Sequence, residues 1–305
     1  MAAIRLFPVP PYDFSLSAAI FSNGDPDIRI FREGVYRHAL DIHGRPVLVE
    51  VRDRGTVDDP ALEVTIRPDP GIVTRELSEA GKLVASMFNI SDTLIPFYRA
   101  MGNDPVMARL AVSFRGLKSP TTPTVFEALT DSIIEQQISL AVARRLRARL
   151  IKKTGNQLVL DDGVYYCYPE PEDLAGTADA VFRACGLTTR KGAYIRDISR
   201  SIMAGDLDLD RFRQEEDTDE IIREMMKIRG IGKWTAELTI IRGIHKLDAF
   251  PADDVGLQRI IARFYRGGTR ISSAEARRIA EGWGEWKGLV AFYLDIAEHL
   301  HVSPG

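Results

Sequence analysis

A glycine-bracketed turn between two helical segments constrains this chain more than any other feature. Residues Ile228 to Gln258 read IRGIGKWTAELTIIRGIHKLDAFPADDVGLQ. Upstream, Ile221, Ile222, Met225 and Met226 mark an apolar helix. The turn is Gly230-Ile231-Gly232, and after it Trp234, Leu238 and Ile241 recur at i, i+4 and i+7, the spacing of one helix face. Glycines on both sides of one apolar residue let the backbone turn sharply and leave amides unpaired at a helix N-terminus. The helix dipole is positive there, so the turn suits a phosphate. Twenty residues after Trp234 stands Asp254, second of the pair Asp253-Asp254, at the head of another helical pattern.

The chain has 305 residues, enough for about two domains of ordinary size. With 45% hydrophobic and 27% charged residues it reads as a soluble globular protein. No run of about 18 apolar residues suggests a membrane span. The start, MAAIRLFPVPPYDF, lacks the basic flank and long apolar core of a secretion signal. Cys167 and Cys185 are the only cysteines, too few for the four thiolates of an iron–sulfur cluster. The expectation is two reduced thiols in a cytoplasmic, nucleoid-associated protein of prokaryotic type that works as a monomer.

A net charge of −3 argues at first against a nucleic-acid partner, but its distribution argues the other way. Residues 1–70 carry 8 Lys/Arg against 11 Asp/Glu. Residues 118–155 carry 7 against 3, and residues 221–246 carry 6 against 2. Local basic faces of that kind can hold a phosphate backbone, although solvated helix faces are charged too.

Segments Tyr36–Ile42, Pro46–Arg52 and Ala61–Arg67 are rich in β-branched and apolar residues, with turn residues at His43-Gly44 and Asp58-Asp59-Pro60 between them. They predict a small antiparallel sheet. From about Val73 onward the pattern is helical. Val125–Leu150 predicts two helices broken near Ile138-Ser139, and Pro169–Leu174 opens another. The acidic stretch Asp206–Glu220 reads as a connector or a solvated face. Leu257 to Phe264 predicts a helix stopped by Gly267-Gly268, Ser272 to Glu275 fits a capping box, and Trp286 to Tyr293 marks a last helix.

Several stretches, in order, resemble the 3-methyladenine DNA glycosylase II (AlkA-type) branch of the helix-hairpin-helix (HhH-GPD) DNA glycosylase superfamily. They are Pro10–Phe14, Ile133–Ser139, Tyr168–Leu174, Ala184–Leu187 with Arg190-Lys191, the glycine hairpin, and Phe250–Leu257. The resemblance implies an α+β fold. A small antiparallel-sheet N-terminal domain (residues 1–88) precedes a mostly α-helical glycosylase domain (residues 89–305, hairpin at 228–234) of two subdomains with a cleft between them. It implies that double-stranded DNA containing alkylated bases is the partner, with no cofactor and no membrane. The reaction is hydrolysis of the N-glycosidic bond of a base flipped out of the stack.

On that resemblance Asp254 is the catalytic carboxylate, opposing the positive charge that develops on the sugar. Read locally, Asp253 could cap the following helix while Asp254 faces the cleft. Gly230, Ile231 and Gly232 offer amides to a phosphate, joined by Lys233 and Thr235. Main-chain carbonyls of Met226, Ile228 and Gly230 are the place for a monovalent cation; no catalytic metal is implied. Gln137 stands at the wedge that fills the gap left by the flipped nucleotide; read locally it is a Gln inside a helix. Trp234, Leu238, Val255, Tyr293 and Asp295 are the base-pocket positions. Leu238, Val255 and Asp295 depart from the aromatic residues of the best-known member, and Phe292 or Tyr293 are the aromatics left to substitute. Bifunctional members carry a lysine two residues after the second hairpin glycine, and here Trp234 stands there, so base removal without strand cleavage is expected. The competing reading is a non-catalytic DNA-binding module in which Asp254 only caps a helix. His38, His43, His245, His299 and His301 show no metal-ligand spacing.

Overall fold

Period-two patterning in the first third builds a five-stranded antiparallel sheet. The computed structural model describes residues 2–23, 27–68 and 74–303. Strands β1 (Ala3–Leu6), β2 (Arg29–Arg32), β3 (Val35–Ile42), β4 (Arg45–Asp53) and β5 (Leu62–Arg67) lie in the order β1-β5-β4-β3-β2. His43 and Gly44 turn the β3–β4 hairpin at φ of 57° and 78°. Two positive φ values are what a two-residue hairpin requires to match strand twist. The predicted segments are β3, β4 and β5. The edge strands β1 and β2, four residues each, were not predicted, being too short to show alternation. Helices α1 (Phe14–Asn23) and α2 (Thr74–Met87) join the sheet in one core, where Phe88 meets Phe14, Phe21 and Tyr36 edge-on. The expected helical onset at Val73 lies outside the described residues.

Beyond this unit the chain is helical: α3 (Ile95–Ala100), α4 (Pro105–Ser113), α5 (Val125–Glu135), α6 (Leu140–Thr154), α7 (Pro171–Ala175), α8 (Asp179–Ala184) and α9 (Thr189–Met203), then α10 (Thr218–Met226), α11 (Lys233–Ile244), α12 (Val255–Tyr265), α13 (Ser273–Glu281) and α14 (Lys287–His299). A β6–β7 hairpin (Gln157–Leu160, Gly163–Tyr166) interrupts the run and was missed in the sequence. The predicted break in the long helix is the gap between α5 and α6, where Ser139 caps α6. Gly268 donates to the Ala262 carbonyl (2.9 Å) and ends α12 as the sequence predicts. Ser272 caps α13, but the expected box is half made, because the Glu275 carboxylate turns to Arg266 and Arg278.

The helices share two cores. One gathers α5 to α11, from Val125 to Ala249. The other gathers α3, α4 and α12 to α14, from Leu94 to Leu117 and again from Phe250 to Ala297. The chain leaves the second core after Leu117 and returns at Phe250, four residues before Asp254. Asp254 therefore sits on the seam between two helical subdomains.

Every residue of α5 is buried, including Glu127, Asp131 and Glu135 at i, i+4 and i+8. Each acid is paired. Arg29 of β2 meets Glu127. Arg147 meets Asp131 (3.1 Å) and Glu135 (3.4 Å), Tyr168 donates to Asp131 (2.8 Å), and Arg242 of α11 meets Glu135 (2.7 Å). Burial pushes the Glu135 carboxyl up, but Arg242 and Arg147 outweigh it and hold the group below its ordinary value. The row ties the sheet domain, α6 and α11 to one central rod.

Candidate active site at the hairpin and the seam

Helix α10 ends at Met226 and the chain turns through Ile228–Gly232 into α11. Gly230 takes φ 92°, and a Cβ there would lie 2.4 Å from the Tyr194 ring, so the position requires glycine. Gly232, at φ −96° and ψ 175°, is the N-cap of α11 and has no side chain to cap it. The first helical bond runs from Ala236 N to Gly232 O (3.0 Å), leaving the amides of Lys233, Trp234 and Thr235 without an acceptor inside the helix.

Two expected phosphate contacts are corrected. The Ile231 amide donates to the Ile228 carbonyl (3.1 Å) and its side chain is buried, so Ile231 anchors the turn from below. The Thr235 hydroxyl is buried and accepts from Gln136 Nε2 (3.0 Å). Lys233 is exposed. Among the carbonyls expected to hold a cation, those of Ile228 and Gly230 each accept one hydrogen bond and keep a second lone pair. Main-chain oxygens are the donors a hard cation takes, so by their chemistry these two carbonyls could serve one.

The same Gln136 Nε2 donates to the Gly230 carbonyl (3.0 Å), and Lys191 Nζ donates to the carbonyls of Ile134 (2.8 Å) and Gln136 (2.6 Å). Gln136 thus clamps the α5–α6 loop onto the hairpin, and Lys191 ties the same loop to α9. Neither residue was singled out in the sequence for this role; doubled glutamines at a helix break were the available signal. The next residue, Gln137, is exposed at φ 58°, in the left-handed region. It lies in the interhelix loop, which removes the reading of a Gln inside a helix.

Asp254 is the N-cap of α12, its Oδ1 accepting from the Leu257 amide (2.8 Å). Asp253 is exposed and does not cap, a correction to the expected division between the pair. Asp254 Oδ2 accepts from Trp234 Nε1 (2.9 Å). That bond crosses the seam, from α11 in one subdomain to α12 in the other. The Trp234 ring is half-buried, with its polar edge committed to the carboxylate.

Asp295 of α14 is reached by solvent, yet desolvation by the protein around it raises its carboxyl above the ordinary range, and Asp254 adds to the rise. Arg242, His299 and Arg144 oppose it. The effect of Asp254 on Asp295 puts the two carboxylates in one neighbourhood, across α12 and α14. Leu238, one turn below Trp234, is buried, and Val255 is 76% exposed beside Asp254. Tyr293 is a correction: it is fully buried in the second core, donates to the Leu117 carbonyl (2.8 Å), and packs on Phe97 and Phe114. Its ring spacing from Trp286 and Leu289 marked helix periodicity, which cannot distinguish core from cleft. Phe292 is half-buried against it.

A cavity of about 310 Å³ opens at the far end of α11, between Lys118, His245 and Trp286. There His245 pairs with Asp92 (2.6 Å). Twelve residues of helix put it roughly 18 Å from the hairpin, away from Asp254. Among the described residues no three His, Cys, Asp or Glu side chains cluster to hold a metal, and no helix is long and apolar enough to cross a membrane.

Comparison with known proteins agrees with this geometry. The model of the HhH-GPD superfamily of base excision DNA repair proteins matches residues 130–285, which contain the Gln136-Gln137 loop, the hairpin and Asp254. The chain is 31% identical to the DNA-3-methyladenine glycosylase of Bacillus subtilis (strain 168) over 71% of each chain. It superposes on the 3-methyladenine DNA-glycosylase of Archaeoglobus fulgidus with a TM-score of 0.84 at 25% identity, covering 98% of this chain and 99% of that one. The fold alone is shared with an 8-oxoguanine glycosylase/lyase of Clostridium acetobutylicum (TM-score 0.74, 18% identity, 96% and 95% covered). The chain belongs to the HhH-GPD superfamily of base excision DNA repair proteins.

Proposed function

We propose that this DNA glycosylase is monofunctional and excises alkylated purines of the 3-methyladenine and 7-methylguanine class from double-stranded DNA. The observation that carries the reading is the 2.9 Å bond from Trp234 Nε1 to Asp254 Oδ2. It fixes a carboxylate at the seam, and it fills the position two residues past Gly232 with an indole, which has no nucleophilic amine. The 3-methyladenine names of the Bacillus and Archaeoglobus relatives support the substrate class.

In this reading the α11 N-terminus and Lys233 hold the phosphate backbone, and Gln137 enters the stack as the damaged nucleotide leaves it. Extrusion costs a few kcal/mol, least for a base that already pairs poorly. As the bond from C1′ to the base nitrogen breaks, its electron pair leaves with the base and positive charge grows on the sugar. The Asp254 carboxylate, oriented by Trp234 and Leu257, opposes that charge, and water adds at C1′ and gives up one proton to solvent. The product is an abasic site on an intact strand. A carboxylate-lined mouth, Asp254 with Asp295, also suits the positive charge an N-alkylated purine carries in DNA. The hairpin carbonyls would hold a monovalent cation that screens the phosphate.

The test is release of methylated bases from duplex DNA. Asp254→Asn should lose most release, by about a hundredfold or more, while still binding DNA. Asn keeps one acceptor for the Leu257 amide, but its NH2 then faces the Trp234 N–H, donor against donor. Release at the wild-type rate would leave Asp254 as a helix cap only and favour the non-catalytic module. Borohydride should trap no covalent adduct; an adduct that disappears in Lys233→Ala would overturn the monofunctional assignment.

A further inference from the structure

A buried acid lies directly beneath the phosphate-facing end of α11. Glu237 stands one turn after Lys233 on the same face of the helix, with 1% of its surface exposed. Its Oε1 accepts from Arg277 Nη2 of α13 (3.2 Å) and lies 4.0 Å from Lys233 Nζ. Two cations share one oxygen, which puts them within roughly 7 Å of each other. Their side chains are 45% and 40% exposed, so both heads reach solvent. Oε2 of Glu237 has no hydrogen-bond partner among the described residues. An anion that is buried and half-satisfied is costly, and a neutral carboxyl in the same place costs much less.

We propose that Lys233, Arg277 and the carboxyl of Glu237 form a phosphate-binding subsite, continuous with the α11 N-terminus, that takes up at most one proton when DNA binds. The proposal rests on the reading that the hairpin holds DNA. It adds Arg277, from a helix outside the hairpin, to the contacts.

The groups facing Glu237 are Arg277 from α13, Lys233 from its own helix, and Asp253 from the loop before α12. Burial raises the carboxyl and Asp253 adds to the rise, Arg277 and Lys233 pull against them, and the net result is a carboxyl pushed up to about 7. In free protein near neutral pH the carboxyl is therefore poised between its two forms. A phosphodiester arriving at the uncapped amides competes for both cations and brings a negative charge near the acid. Each effect favours the protonated acid, so up to one proton is taken from solvent, in proportion to the fraction of Glu237 ionised in the free protein, and none is released. The subsite goes from a net charge of +1 with Glu237 ionised to +2 with it neutral. The sign follows by linkage. The bound state holds more protons, so affinity falls as pH rises above about 7 and levels off below it.

Duplex binding is measured by fluorescence anisotropy on a fluorescein-labelled duplex carrying a stable abasic analogue, at constant ionic strength from about pH 6 to 8.5. Wild-type affinity should fall above neutrality, by up to about tenfold per pH unit. Glu237→Gln should give a flat profile at the wild-type low-pH affinity. Arg277→Ala should weaken binding about fivefold and lower the slope of log affinity against log salt by about 1. Parallel pH profiles for wild type and Glu237→Gln overturn the proton coupling, and an unchanged salt slope in Arg277→Ala overturns the phosphate contact. Both outcomes leave the hairpin reading intact. Wild type that fails to bind DNA at any pH overturns the hairpin reading, and the subsite with it.

Discussion

Asp254 does two things with one carboxylate. One oxygen caps α12 and the other receives the indole of Trp234. Its importance was legible from its place after the hairpin. Its partner was not, because a bond between residues 20 apart depends on how α11 and α12 cross. Gln137 shows the opposite balance. The sequence left it between a wedge and a place inside a helix, and its φ of 58° settles the backbone. A left-handed conformation costs a non-glycine residue about 1–2 kcal/mol. Gln137→Gly should therefore raise thermal stability slightly while removing the wedge. Base release from a fully paired duplex should drop about tenfold, and release from a mispaired site should change little. Equal losses on both substrates would show that Gln137 has no part in extrusion.

The hairpin's two glycines are unequal, which the motif does not reveal. Gly230 is at φ 92° with the Tyr194 ring 2.4 Å from where a Cβ would go, whereas a Cβ on Gly232 meets nothing within 4 Å. Gly230→Ala should cost about 2 kcal/mol or more in chemical denaturation, through strain and overpacking. Gly232→Ala should cost under about 1 kcal/mol and show its effect in DNA affinity, since the methyl would stand beside the free amides. A Gly232→Ala variant less stable than Gly230→Ala would contradict this ordering. Helix α5 was legible as a helix with a break after it. Its acid row, Glu127, Asp131 and Glu135, has helical spacing in the sequence but looks like a solvated face. Only the partners, drawn from β2, α6, α11 and Tyr168, show that it is buried. The β6–β7 hairpin escaped because four-residue strands carry too little alternation to register.

The division into a sheet unit and a helical remainder was legible, since period two gives way to period 3.6 along the chain. The seam followed from the family resemblance alone; the residue pattern does not show it, because one helical core is assembled from residues 94–117 and 250–297, two stretches far apart in sequence. Glu237 lies between α11 and α13, on opposite sides of that division, and its ionisation bears on the stability of the whole. Its folded carboxyl is raised above an ordinary glutamate, so the folded state binds more protons than the unfolded one. Folding stability from this group is therefore full below the unfolded value and declines as pH rises toward about 7. Glu237→Gln should flatten that decline and leave the variant more stable than wild type at mildly alkaline pH. The shift sets an upper bound of about 3 kcal/mol, read by denaturant titration across the same pH range. A variant less stable than wild type above neutrality would mean that the Arg277 and Lys233 pairs outweigh burial.

The indole bonded across the seam also makes the molecule its own optical gauge. The chain has three tryptophans. Trp283 is packed on Phe250 and Tyr265 inside the second core, and Trp286 leans on Phe97. Trp234 alone stands between the subdomains with its N–H on a carboxylate. Indole emission responds to that hydrogen bond and to any base stacked on the ring. If a flipped base enters beside Trp234 as proposed, the colour and yield of the unlabelled protein's fluorescence should change as it arrives and leaves.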